Sequence, residues 1–179
     1  LHSGVAAHAL IPVAAIALPD EVLRALQQRL WAIELGRKFT DEALLQIAAA
    51  DNDLPEEFFT RLIWQESRFD PKAVSPMGAQ GIAQFMPATA AMRGLVNAFE
   101  PLQALRESAS YLSELRTTFR GNLGLAAAAY NAGPAAVEAW LAHRGTLPFE
   151  TQAYVRIVTG YTAEAWIAKP TPLLDASPP

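Results

Sequence analysis

The chain has 179 residues, 51% of them hydrophobic, with a formal net charge of -4. That length supports one domain with a real core, and that apolar share excludes a mostly disordered chain. The acidic balance argues against nucleic acid as a partner. The absence of cysteine removes disulfides and thiolate metal sites.

In chain order, Ala9 to Leu18 read ALIPVAAIAL. The run is too short to span a bilayer, so no stable membrane span is expected. It fits either the remnant of a signal-peptide core or an ordinary apolar arm over 1–19. Asp20 can cap a helix that stops at Gly36, with Val22, Leu23, Leu26, Leu30 and Ile33 on one face. Thr40 can cap a second helix through Ala50. Pro55, followed by Glu56 and Glu57, suits the first turn of a third.

The third helix places Phe58, Phe59, Leu62, Ile63 and Glu66 on one face by 3–4 spacing. A carboxylate on an apolar stripe costs free energy unless it is paired, hydrogen-bonded or protonated. A structural ion pair with Arg61 or Arg68 would explain it without any chemistry. From Asp70 to Gly81 the chain is rich in turn formers. Pro87 can start a short helix. A long one is predicted over about Leu102–Phe119, opened by Glu100 or Pro101. The small-residue run LAAAAYNAGP suits a closely packed helix that Gly133 and Pro134 stop. Helices follow over about Ala135–His143, Phe149–Thr159 and Ala163–Ile167, before a proline-rich tail over 168–179. No repeat and no alternating strand pattern is present, so the fold class is all-α, with a single domain over 20–167.

Four segments, in order, resemble the soluble lytic transglycosylase domain family. They are Glu66-Ser67-Arg68-Phe69 with Ser75; Gly78 to Ala90 (GAQGIAQFMPATA); Ala129 to Pro134 (AYNAGP); and Glu150-Thr151 followed by Tyr154-Val155. The resemblance covers residues 42–160. It implies a lysozyme-like helical domain around a glycan-binding cleft. The chain departs from the family pattern at Ala83, where methionine is common, and at Ala104 and Ser108, where asparagine and glycine are common.

The resemblance implies that Glu66 is the single catalytic acid and base. Ordinary glycosidases use two carboxyl groups. Here Glu66 alone would protonate the oxygen between N-acetylmuramic acid and N-acetylglucosamine, then accept a proton from the muramic 6-hydroxyl as a 1,6-anhydro ring closes. Apolar neighbours suit an acid that must stay protonated near neutrality. Ser75, Gln84, Met86, Tyr130, Asn131 and Tyr154 are the substrate-binding candidates. Each also has a plainer structural role: Ser75 as a turn residue, Gln84 as partner to loop carbonyls, Met86 and Tyr154 as core, Asn131 as an organiser of its turn. Tyr130 is expected to point its hydroxyl at Glu66 or at the sugar, its plainer role being a buried tyrosine that needs only a structural partner for that hydroxyl. Glu150 is a candidate helix cap or supporting carboxylate. Asp70 is disfavoured as a second acid because Pro71 follows it.

His143 is the only histidine in the expected domain, without a ligand cluster, so neither metal nor cofactor is expected. The implied partner is peptidoglycan glycan strands, with cell-envelope machinery as a further candidate, and the implied location is periplasmic or exported. A hydrolytic muramidase on the same fold stands as an alternative, as does a glycan-binding assembly protein without turnover.

Overall fold

The computed structural model describes residues 42–168, which all belong to one compact unit. The helix predicted from Asp20, the cap at Thr40, the N-terminal arm and the tail beyond Ala168 lie outside the described residues.

Eight helices make up this region: α1 over 42–50, α2 (Glu56–Ser67), α3 (Pro87–Met92), α4 (Pro101–Thr118), α5 (Leu123–Ala132), α6 (Pro134–Leu141), α7 (Phe149–Thr159) and α8 (Ala163–Ala168). Among the described residues there is no strand, only two isolated antiparallel bridges, Val74 to Gln80 and Gln80 to Phe85. No helix there is long and apolar enough to cross a membrane.

Helix α5 is the hub, packing against α4, α6, α7 and α8. Its sequence explains this. Ala126 to Ala129 are wholly buried, and side chains this small let neighbouring helices approach. Gly124 takes the same logic further: a Cβ there would lie 2.1 Å from the Trp166 ring of α8. Asn122 fastens both ends of that contact. Its Oδ1 accepts from Leu125 N at 2.9 Å as the α5 N-cap, and its Nδ2 donates to the Trp166 carbonyl at 2.7 Å. The Trp166 indole donates to Thr159 Oγ1 at 2.8 Å, so a large buried aromatic keeps its polar edge satisfied.

Helix α4, the long helix expected here, buries one stripe: Ala104, Leu105, Ser108, Ala109, Leu112 and Leu115. The Glu100 carboxylate caps it, accepting from Leu102 N and Gln103 N. Gly133 serves two helices at once, closing α5 and preceding Pro134 at the start of α6. Pro134 therefore starts a helix, rather than only stopping one, as its fixed φ allows.

Helix α2 buries Phe58, Phe59, Leu62 and Ile63. Each is worth roughly 1.5–3 kcal/mol of burial. The helix ends where Arg68 turns left-handed at φ 55°, its N–H on the Trp64 carbonyl. Glu66 is thus in the last turn. Because α2 packs on α7, the end of one helix is set against the face of the other.

Candidate active-site cleft

The segment after α2 is held by a dense set of local bonds. Gly81 N–H donates to the Ala73 carbonyl at 2.9 Å, and Gln80 and Phe85 exchange both backbone bonds at 2.9 and 3.0 Å. Gly81 has φ +73°, and a Cβ on it would stand 1.8 Å from the Ala98 carbonyl oxygen, so only glycine fits. Gln84 has φ 51° despite its side chain. Such backbone strain in a non-glycine residue persists only where the surroundings hold it.

This loop, the last turn of α2, the C-terminal end of α5 and the start of α7 enclose a cleft of about 690 Å³. Glu66, Ser75, Gln84, Met86, Tyr130, Asn131, Glu150 and Tyr154 all line it. All eight residues singled out in the sequence therefore meet in one place. Asp70 does not: it is exposed, and its carboxylate accepts from Lys72 N at 2.8 Å.

Glu66 is half-buried, and the Tyr154 hydroxyl donates to its Oε1. Burial pushes the Glu66 pKa up from 4.5 to about 7, and the Tyr154 hydrogen bond opposes that rise. No ion pair reaches Glu66 among the described residues. Arg61 instead pairs with Glu57, one turn away on α2. The structural ion pair proposed for Glu66 is thus not formed by Arg61, whose position on the helix places it beside Glu57.

Tyr154, rather than Tyr130, is the tyrosine that holds the acid. Tyr154 is buried and its hydroxyl is on Glu66. Tyr130 donates to the Ala83 carbonyl at 3.0 Å and meets Ser108 Oγ at 2.9 Å. Its single proton is committed there, so it is not the hydrogen-bond donor to Glu66. The negative charge that Glu66 can carry still helps hold the Tyr130 hydroxyl above its ordinary pKa, after burial.

The remaining candidates combine structural contacts with spare capacity. Ser75 Oγ accepts from Ala79 N at 3.0 Å in a turn, and its own proton stays available to the cleft. Gln84 Nε2 donates to the carbonyls of Gly81 (2.9 Å) and Ala73 (3.3 Å), leaving its amide oxygen as an acceptor. Asn131 Oδ1 accepts from Thr151 Oγ1 at 2.7 Å, tying α5 to α7 and leaving its amide N–H groups. Met86 is exposed at the entry to α3. Glu150 is exposed in the first turn of α7, but no side chain caps that helix, so the capping role does not hold. Pro148 precedes the helix with extended backbone, and Glu150 sits inside the first turn rather than before it.

Sequence reasoning missed Tyr111, which lines the same cleft from α4. Its ring packs tilted against that of Tyr130, with centroids 5.6 Å apart, and lies under the Arg93 guanidinium at 4.5 Å. Arg93 is in turn held by Glu107 and by both oxygens of Glu114. The signal was present: Tyr111 is three residues after Ser108, at the edge of the buried α4 stripe. Among the described residues no group of acidic or histidine side chains could hold a metal.

The transglycosylase SLT domain model matches residues 43–153. A soluble lytic murein transglycosylase of Salmonella typhimurium is 34% identical over 132 residues, covering 62% of this chain and 20% of the relative. The lytic transglycosylase Slt of Pseudomonas aeruginosa, solved as an inactive mutant, superposes with a TM-score of 0.62 at 31% identity, covering 75% of this chain and 25% of that one. The 70 kDa soluble lytic transglycosylase of Escherichia coli gives 0.59 at 28% identity, with 71% and 24% covered. The chain thus spans about a fifth of the length of these curated relatives.

Proposed function

The chain belongs to the transglycosylase SLT domain family, and from that premise we propose that it is a peptidoglycan lytic transglycosylase. It cleaves the bond between N-acetylmuramic acid and N-acetylglucosamine and leaves 1,6-anhydro ends. The observation that carries this reading is Glu66, a cleft carboxyl whose pKa is pushed up to about 7 by burial. At neutral pH a good part of it holds the proton that a glycosidic oxygen needs.

Glu66 donates that proton to the leaving oxygen. The substrate's own N-acetyl group stabilises the anomeric carbon, with the Ser75 hydroxyl proton available to that group. The Glu66 carboxylate then takes the proton of the muramic 6-hydroxyl while its oxygen bonds to the anomeric carbon. The acid is restored and no water is consumed. The tethered hydroxyl has an effective concentration far above that of a free reactant. Gln84, Asn131 and Tyr130 supply the hydrogen-bonding wall, and Met86 an apolar edge.

Peptidoglycan lies outside the cytoplasmic membrane, so this reading places the protein in the periplasm or beyond it. It also leaves cell-envelope machinery as the natural class of partner.

One observation favours a second reading. Glu150, exposed on the same cleft, supplies the second carboxylate that a hydrolytic muramidase would use to activate water. A glycan-binding protein without turnover has no comparable support, since the acid is in place. Digestion of peptidoglycan in water labelled with heavy oxygen separates the two enzymes. The transglycosylase gives unlabelled anhydro ends, lighter by one water; label at every new muramic end would make this a hydrolase.

A further inference from the structure

The polar contacts behind the cleft form a chain with only one direction. A tyrosine hydroxyl has one proton, and the Ala83 carbonyl can only accept. Tyr130 therefore donates to Ala83, and the 2.9 Å contact between Tyr130 Oη and Ser108 Oγ requires Ser108 to donate. Ser108 is fully buried on α4, so its hydroxyl has no water to choose instead. A serine inside a helix usually returns its proton to a carbonyl one turn back. Here the proton goes across to a cleft residue of another helix.

The end of the chain is the tight turn that presents Gln84. Two consecutive carbonyls of that turn are held from outside. Ile82 O accepts from Ser67 Oγ at 2.7 Å, the residue next to Glu66, and Ala83 O accepts from Tyr130. Helices α2, α4 and α5 thus pin the turn together, and Gln84 keeps its left-handed backbone inside that clamp.

We infer that Ser108 is a positioning residue of the cleft: by donating to Tyr130 Oη it locks the tyrosine's proton onto the Ala83 carbonyl, so that Tyr130 meets a glycan only as an acceptor and the Gln84 turn stays in register. Tyr130 then selects an N–H or O–H of the sugar, while donation toward Glu66 is left to Tyr154. Removing Ser108's hydroxyl takes away the donor that anchors Tyr130 Oη and strengthens its bond to Ala83, and so loosens the turn without touching the acid.

The inference rests on the proposed glycan site, and its test separates the two. A GlcNAc–MurNAc oligosaccharide is titrated calorimetrically into the Glu66→Gln protein, where turnover does not interfere. Adding Ser108→Ala weakens binding roughly three- to tenfold, about what one neutral hydrogen bond supports. In a Tyr130→Phe background the same substitution produces no further loss, because Ser108 acts through that hydroxyl. Ser108→Cys, which keeps a weaker donor, falls between serine and alanine, and it replaces alanine in the cycle if that variant does not fold. Unchanged affinity with only a lower melting temperature overturns the positioning role, as does an equal loss in both backgrounds. Absence of both binding and cleavage by the unmodified protein overturns the glycan site itself.

Discussion

Helix α5 and the loop between α2 and α3 satisfy their backbones by opposite means. In α5 the hydrogen bonds are regular, the buried side chains from Ala126 to Ala129 are methyl groups, and the tight fit comes from what has been removed: the missing Cβ of Gly124 admits Trp166. The loop bends through Arg68, Phe69 and Gln84 at positive φ, and side chains from Ser67, Tyr130 and Gln84 itself hold its carbonyls. One region is stable because its residues agree with their neighbours in sequence. The other is held in place by partners elsewhere in the chain, and it carries the cleft. Strain held by surrounding structure is a recurrent feature of functional sites.

The largest effect expected from breaking this contrast is at Gly81. A Cβ there meets backbone, which cannot step aside, and φ +73° is strained for any other residue. Gly81→Ala should cost about 4 kcal/mol or more, in the range of the most damaging single substitutions. Urea unfolding measures it; a variant as stable as wild type would mean that the loop is not pinned against Ala98.

Gly124→Ala should cost somewhat less, about 3 kcal/mol, because its Cβ meets the buried Trp166 ring, which must move as a body, but its backbone is not at positive φ. It should leave kcat per folded molecule unchanged, since α8 is away from the cleft. A loss of kcat at full folding would show that the two regions are not separable.

The smallest effect is at the join between them. The Tyr154 hydroxyl lowers the Glu66 pKa that burial raises. Tyr154→Phe should therefore move the falling limb of the pH–rate profile to higher pH, at a stability cost of about 1 kcal/mol. A shift to lower pH would contradict the assigned balance of causes.

The helical part was legible because it depends on near neighbours. The α2 stripe was read from spacing, the small-residue α5 from composition and the long α4 from its opening Glu100 or Pro101, the last within a residue. The order of the motifs brought out the eight cleft residues. What could not be read was pairing at a distance. Tyr154 meets Glu66 across 88 positions, and Tyr130 reaches Ala83 across 47. Which tyrosine held the acid depends on how α7 lies on α2, and no local pattern encodes that. Gln84's left-handed backbone was hidden for the same reason, since only Gly78 and Gly81, earlier in the loop, signal a turn locally. Tyr111 is an intermediate case, visible as a helix position but not as a cleft wall.

The central claim is that Glu66 is kept in the cleft for its proton and at a cost to stability. A carboxyl whose folded pKa is raised to about 7 from 4.5 makes the folded state bind its proton more tightly than the unfolded state does. Its contribution to stability is therefore lost as pH rises from 4.5 through 7. Glu66→Gln removes that titration and the proton together. The direct measurement pairs turnover of peptidoglycan with denaturant unfolding of wild type and Glu66→Gln at pH 5 and pH 8. The account predicts a loss of about 10²–10⁴-fold in kcat, with a folded variant that is less weakened than wild type on going to pH 8. A folded variant with near-wild-type turnover, or one that unfolds at both pH values, would contradict it.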